Sequence, residues 1–278
     1  MSEWTRHTPW RQGHILTDES VKKIDLIHPE YGDETIVIVA SHDCDLAQLP
    51  EREPYVEVVV GHRIKTLDGN YTHAKSSKTL HIEFVGDELL LTEFVITEKR
   101  TIHKNLLVDF NPANNSQLTP SGHSTFQLWL ASRYRRSAFP DEFEQRLTKA
   151  KLDNKIAKAV KPHGKMITAL FFDVDEGLEV AHTSPDDIYV LDIILLHATE
   201  PDSGAAESAT LKAKSEIENA FRKKLFNKES GTWQQIELRH CDVISEEALT
   251  YRESQILKKW RLDHISLRSD PQQPLSAD

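Results

Sequence analysis

The chain has 278 residues, with 34 Lys and Arg against 44 Asp and Glu, a formal charge of −10 at pH 7. Hydrophobic residues make up 38% and fall in blocks, so a packed core is expected and wholesale disorder is not. No apolar run reaches the roughly 18 residues of a membrane-spanning helix, Met1–Trp10 holds no apolar signal core, and two cysteines cannot build a disulfide framework. A cytoplasmic protein without membrane contact is the expectation.

The opening third reads as β-structure. Thr35 to Ala40 is a short β-branched run bounded by Tyr31-Gly32-Asp33 and by Ser41-His42-Asp43, the composition of a buried strand. Tyr55 to Val60 follows, with Pro54 before it and Gly61 after it. Lys78 to Phe84 and Glu88 to Glu98 flank Gly86-Asp87 as a hairpin, and Ile102 to Phe110 adds a further strand. Short strands with no long amphipathic helix between them point to a small β-barrel or bent antiparallel sheet.

Residues 111–125 read as a linker, and helix follows. Phe126, Trp129, Leu130 and Tyr134 fall at helical spacing, and a second helix starts near Asp141 with acidic residues in its first turn. On it Lys151, Lys155 and Lys158 form one cationic stripe. Strands over 166–174 and 188–197, a helix over 209–226, a strand over 233–243 and a helix from Ser245 to about Trp260 complete the pattern. With a strand near Leu106 in front, the order is that of a split-βαβ, ferredoxin-like sandwich. The fold class is therefore α+β, with a β-rich domain at 1–110, a helical hairpin plus α/β domain at 126–268, and a disordered tail at 269–278.

Charge is unevenly spread. Residues 1–110 carry 12 basic and 19 acidic side chains, 111–165 carry 10 and 4, and 166–278 carry 12 and 21. A basic segment between acidic ones suits docking against acidic surfaces or a local nucleic-acid phosphate contact, while the acidic whole disfavours coating a duplex. Arg133, Arg135 and Arg136, around Tyr134, are the candidate phosphate or partner contacts, with Lys151, Lys155 and Lys158 beside them.

The densest chemistry is Ser41-His42-Asp43-Cys44-Asp45, directly after a buried strand. In an extended segment Asp43 and Asp45 share one face and could hold Mg²⁺ or Mn²⁺, with Glu57 and Cys44 as further ligands; Zn²⁺ is the poorer match. His42 or His14 would then serve as acid or base. A composite zinc site of Cys44 and Cys241 is disfavoured, because neither has a C-x-x-C partner. No P-loop, dinucleotide fingerprint, H-E-x-x-H or G-x-S-x-G motif occurs.

Trp10-Arg11-Gln12-Gly13-His14-Ile15-Leu16, with Ile36 to Ser41 about twenty residues later, resembles the opening of the PemK/MazF toxin barrel over residues 10–60. That resemblance implies an SH3-like barrel. It does not carry the family's ribonuclease chemistry, since Asp33-Glu34 stands where the catalytic Arg-Pro would precede the strand. Two functions follow as expectations. The first is a non-catalytic component of a larger protein assembly, docking through complementary acidic and basic faces. The second is a metal-dependent phosphodiesterase or nuclease-type hydrolase using Asp43 and Asp45, with the arginine cluster on phosphate.

Overall fold

A computed structural model describes residues 3–132, 134, 139–178, 180, 182, 184, 187–250, 253 and 257–262. The chain forms two compact units, one of Met1–Leu67 and Ser77–Tyr134, the other of Asp68–Ser76 and Arg135–Asp278. The fold is α+β, and the first unit carries a curled half-barrel sheet.

The first unit holds α1 (Asp18–Lys23), β1 (Thr35–Val39), α2 (Asp43–Leu46), β2 (Tyr55–Arg63), β3 (Thr79–Gly86), β4 (Leu90–His103), β5 (Ser116–Gln117) and α3 (Pro120–Ser132). The strands form one antiparallel sheet in the order β1-β2-β4-β3-β5. All five residues of β1 are buried, as its unbroken apolar run requires. Its outer edge is covered by residues 13–16, where Leu16 N–H donates to Val37 O at 3.0 Å and Gly13 N–H to Val39 O at 2.9 Å. Trp4, Trp10, Val37, Val56, Val58 and Leu107 belong to the core packed on this sheet.

The curl comes from β4. Val59 pairs with Lys99, yet Gly61 pairs with Phe94, so β4 bulges between these two points and the sheet bends there. Gly61 lies where any Cβ would stand 2.2 Å from Glu93 O and 2.5 Å from the Phe94 ring. Only glycine fits.

The second unit holds α4 (Asp141–Lys149), α5 (Leu152–Val160), β6 (Ile167–Val174), β7 (Tyr189–His197), α6 (Ser203–Leu225), the small hairpin β8 (Phe226–Asn227) and β9 (Thr232–Trp233), β10 (Ile236–Ser245) and β11 (Lys258–Lys259). Its sheet runs β10-β7-β6-β11. Only β7 and β10 are parallel, joined through α6 as a βαβ unit. Phe143, Ile156, Phe172, Ile193, Ile217 and Phe221 lie in the buried core of this unit.

Four expectations are corrected here. The split-βαβ order is not formed, because β7 and β10 are direct neighbours and a strand near Leu106 is missing. Past His103 the backbone tightens into a 3₁₀ turn at Lys104–Leu106. The helix starting at Asp141 breaks at Lys151, which takes a left-handed φ of 60° and opens α5. The last segment is not a continuous helix to Trp260: Lys258–Lys259 pairs with β6, and Trp260 stacks on Phe172 at 4.5 Å. That aromatic contact and a backbone bond from Trp260 N–H to Leu170 O (2.8 Å) reward extension over helix there. The expected disordered tail lies outside the described residues.

Asp68–Ser76 is fixed to the second unit by Lys75. Its side chain is fully buried, and Nζ donates to Gly164 O (2.7 Å), Ile167 O (2.7 Å) and Thr72 Oγ1 (3.0 Å). Three acceptors satisfy the ammonium, although burial holds its pKa well below the usual lysine value.

Candidate functional site

From Asp43 onward the Ser41–Asp45 run turns into the helical turn Asp43–Leu46 and does not continue as an extended segment. His42 is the N-cap of α2, with Nδ1 accepting from Cys44 N–H at 3.3 Å. At helical spacing Asp43 and Asp45 point in different directions, so the shared face expected of alternation is lost. Asp43 Oδ1 accepts from the backbone N–H of Gln12 at 2.8 Å.

Two residues that carried no motif hold this turn. Gln12 Nε2 donates to Ala40 O at 2.7 Å, and its Oε1 accepts from Gln127 Nε2 at 2.8 Å, tying the end of β1 to α3. Lys104, a buried cation, donates from Nζ to Asp45 O (2.6 Å) and Gln48 O (2.9 Å), and its ammonium lies 5.5 Å from the Trp4 ring centre. Carbonyls at a helix C-terminus need such donors. Burial holds the Lys104 pKa down, against the opposing pull of Glu53 and Asp45.

Beside the turn opens a cleft of about 1120 Å³. Its floor is the end of the sheet, with Tyr55 and Glu57 of β2 and Lys99 and Thr101 of β4, and Gln127, Leu130 and Ala131 of α3 also line it. His42, Asp45 and Glu53 line it as well. Glu57 pairs with Lys99 at 2.8 Å, and its backbone N–H donates to Ser41 Oγ, also at 2.8 Å.

Of the candidate residues, His42, Asp45 and Glu57 thus line one cleft. Asp43 is engaged by Gln12. Cys44 is exposed. His14 lies close enough to Asp43 to feel its charge, but burial and the neighbouring Arg11 lower its pKa, and its Nδ1 accepts from Arg11 N–H at 3.2 Å. Among the described residues no three His, Cys, Asp or Glu are grouped so as to hold a metal ion. In the second unit Cys241 is buried and its thiol pushed up to about 12, chiefly by burial. It therefore stays a protonated, apolar-packing side chain. Lys151, Lys155 and Lys158 are exposed; Arg133, Arg135 and Arg136 lie outside the described residues.

Compared with known protein families, with curated proteins and with solved structures, the chain finds no match. No helix among the described residues is long and apolar enough to cross a membrane.

Proposed function

We propose that this chain is a non-catalytic component of a protein assembly, acting in the cytoplasm and receiving a partner in the cleft of its first unit. The observation that carries this reading is how the reactive run is used. His42 caps its own helix, Asp43 holds the Gln12 backbone, and Glu57 is paired with Lys99. What they leave is a roomy, open surface that mixes carboxylates with apolar and aromatic side chains, the composition of a recognition site.

Incubation with bis(p-nitrophenyl) phosphate and Mg²⁺ or Mn²⁺ tests the choice between docking and hydrolysis. The expected result is no turnover beyond that of the Asp43→Ala variant. Turnover by the unmodified chain that Asp43→Ala abolishes would overturn the docking reading in favour of the hydrolase.

A further inference from the structure

The register of the curled sheet leaves one strand edge uncovered beside the cleft. β3 pairs with β4 as far as Thr79 opposite Val95, with a last backbone bond from Ile96 N–H to Lys78 O at 2.8 Å. Beyond the bulge, β4 from Lys99 to His103 pairs with β2 alone, and among the described residues no other backbone group bonds to its outer side.

Alternation shows which peptide groups face outward. Ala40 and Ser41 N–H donate to Glu57 O at 2.8 and 3.2 Å, so the peptide groups of Glu57 point toward β1. Val56 and Val58 then point the other way, toward their partners Ile102 and Arg100. The N–H and C=O groups of Lys99, Thr101 and His103 are therefore directed away from β2. The Arg100 guanidinium folds back on this edge, donating to Lys99 O (3.2 Å) and Thr97 O (3.4 Å), and pairs with Glu98 at 2.6 Å. Charged side chains laid along an edge in this way discourage indiscriminate strand pairing, and this one is exposed and able to swing aside.

We propose that an extended, cationic segment of a partner protein adds to this edge as a further strand, its alternate side chains lying over the cleft. The proposal rests on the docking reading and names the partner's chemistry. The charge of the cleft supports the sign: Asp45, Glu53 and Glu57 line it against Lys99, and among the described residues Asp45 and Glu53 make no ion pair within 4 Å, although the Lys104 charge acts on both. Tyr55, half exposed, stands opposite His103 at the end of the edge with the rings edge-on at 5.7 Å. It offers a face for a guanidinium or ammonium. Main-chain hydrogen bonds to Lys99, Thr101 and His103 supply affinity, and Lys or Arg at every second position supplies specificity.

The test uses the full chain and a labelled, blocked (Lys-Val)₄ peptide, with binding read by fluorescence anisotropy. Thr101→Pro removes an outward N–H while sparing the bonds to β2. It is expected to weaken binding at least about tenfold, as is N-methylation of alternate residues of the probe, which leaves the protein untouched. Glu53→Gln/Glu57→Gln is expected to weaken it by about threefold or more, whereas Glu207→Gln/Glu216→Gln on α6, of equal charge change, leaves it unaltered. Equal binding by Thr101→Pro and by the methylated probe overturns strand addition; a continued loss with Glu53→Gln/Glu57→Gln in that case leaves the docking reading standing. Preference for a (Glu-Val)₄ probe overturns the cationic assignment. Self-association in sedimentation that Thr101→Pro abolishes makes a second copy of this chain the occupant and overturns a distinct partner.

Discussion

Lys104→Met is expected to destabilise the first unit by about 1–2 kcal/mol and to loosen α2. Methionine keeps most of the buried volume beside Trp4, so the loss isolates the ammonium. Asp45 O and Gln48 O, now bonded by Nζ at 2.6 and 2.9 Å, would be left without that donor. Both carbonyls belong to exposed residues and Asp45 O keeps the Gln48 N–H, so each lost charge-assisted bond costs about 1 kcal/mol, offset in part by no longer burying a charge. Urea unfolding of the first unit measures the stability term. Amide exchange at Asp45, Leu46 and Ala47, whose N–H groups close the turn, measures the local one. A change below about 0.5 kcal/mol, the usual range for a neutral surface substitution, would show that the lysine does not hold the turn.

The second unit is expected to lose about 2 kcal/mol between pH 7 and pH 5 through His73 alone. Burial holds the His73 pKa down to about 3, with Lys75 and Lys259 adding to the shift against the bond between Nε2 and Lys165 O. The ordinary value is 6.5. Since the folded pKa is the lower one, the unfolded chain binds more protons between these two values. The stability is fully present above about pH 6.5 and falls as pH drops toward 3, at about 1.4 kcal/mol per unit. The native φ of 53° at this position suits Asn, a residue that tolerates left-handed backbone. His73→Asn should therefore remove this part of the slope while other histidines keep theirs. An unchanged pH profile in His73→Asn would refute the assignment.

Much of the fold was legible in local pattern. The buried run at Thr35–Val39, the hairpin around Gly86-Asp87 and the strand pair over 167–174 and 189–197 follow from β-branched runs broken by turn residues. What escaped was decided by capping or by distant contacts. Thr119-Pro120 reads as linker, but the Thr119 hydroxyl accepts from Gly122 N–H at 3.0 Å and starts α3 there. Asp202 does the same for α6, accepting from Ala205 N–H at 2.9 Å, so that helix begins six residues earlier than its apolar period suggests. Lys258–Lys259 is held as a strand by pairing with β6, which no local propensity reveals.

The site was half legible. The position of the Ser41–Asp45 run after a rigid strand placed His42 and Asp45 at a cleft, yet the chemistry expected of the run depended on an extended backbone. The cap at His42 replaces that backbone with a helical turn. Gln12 and Lys104 carried no signal, because their role lies entirely in partners 28 to 115 residues away. The open edge of β4 depends on where β3 stops, a property of register and not of composition.

Amide hydrogen exchange at Lys99, Thr101 and His103, with and without the (Lys-Val)₄ peptide, tests the docking account most directly. Their N–H groups point away from β2, so exchange should be fast in the isolated chain and slowed at these alternate positions when the peptide is bound. Arg100 and Ile102, already paired to β2, should change far less. Saturating peptide that leaves Lys99, Thr101 and His103 exchanging as before would contradict the account.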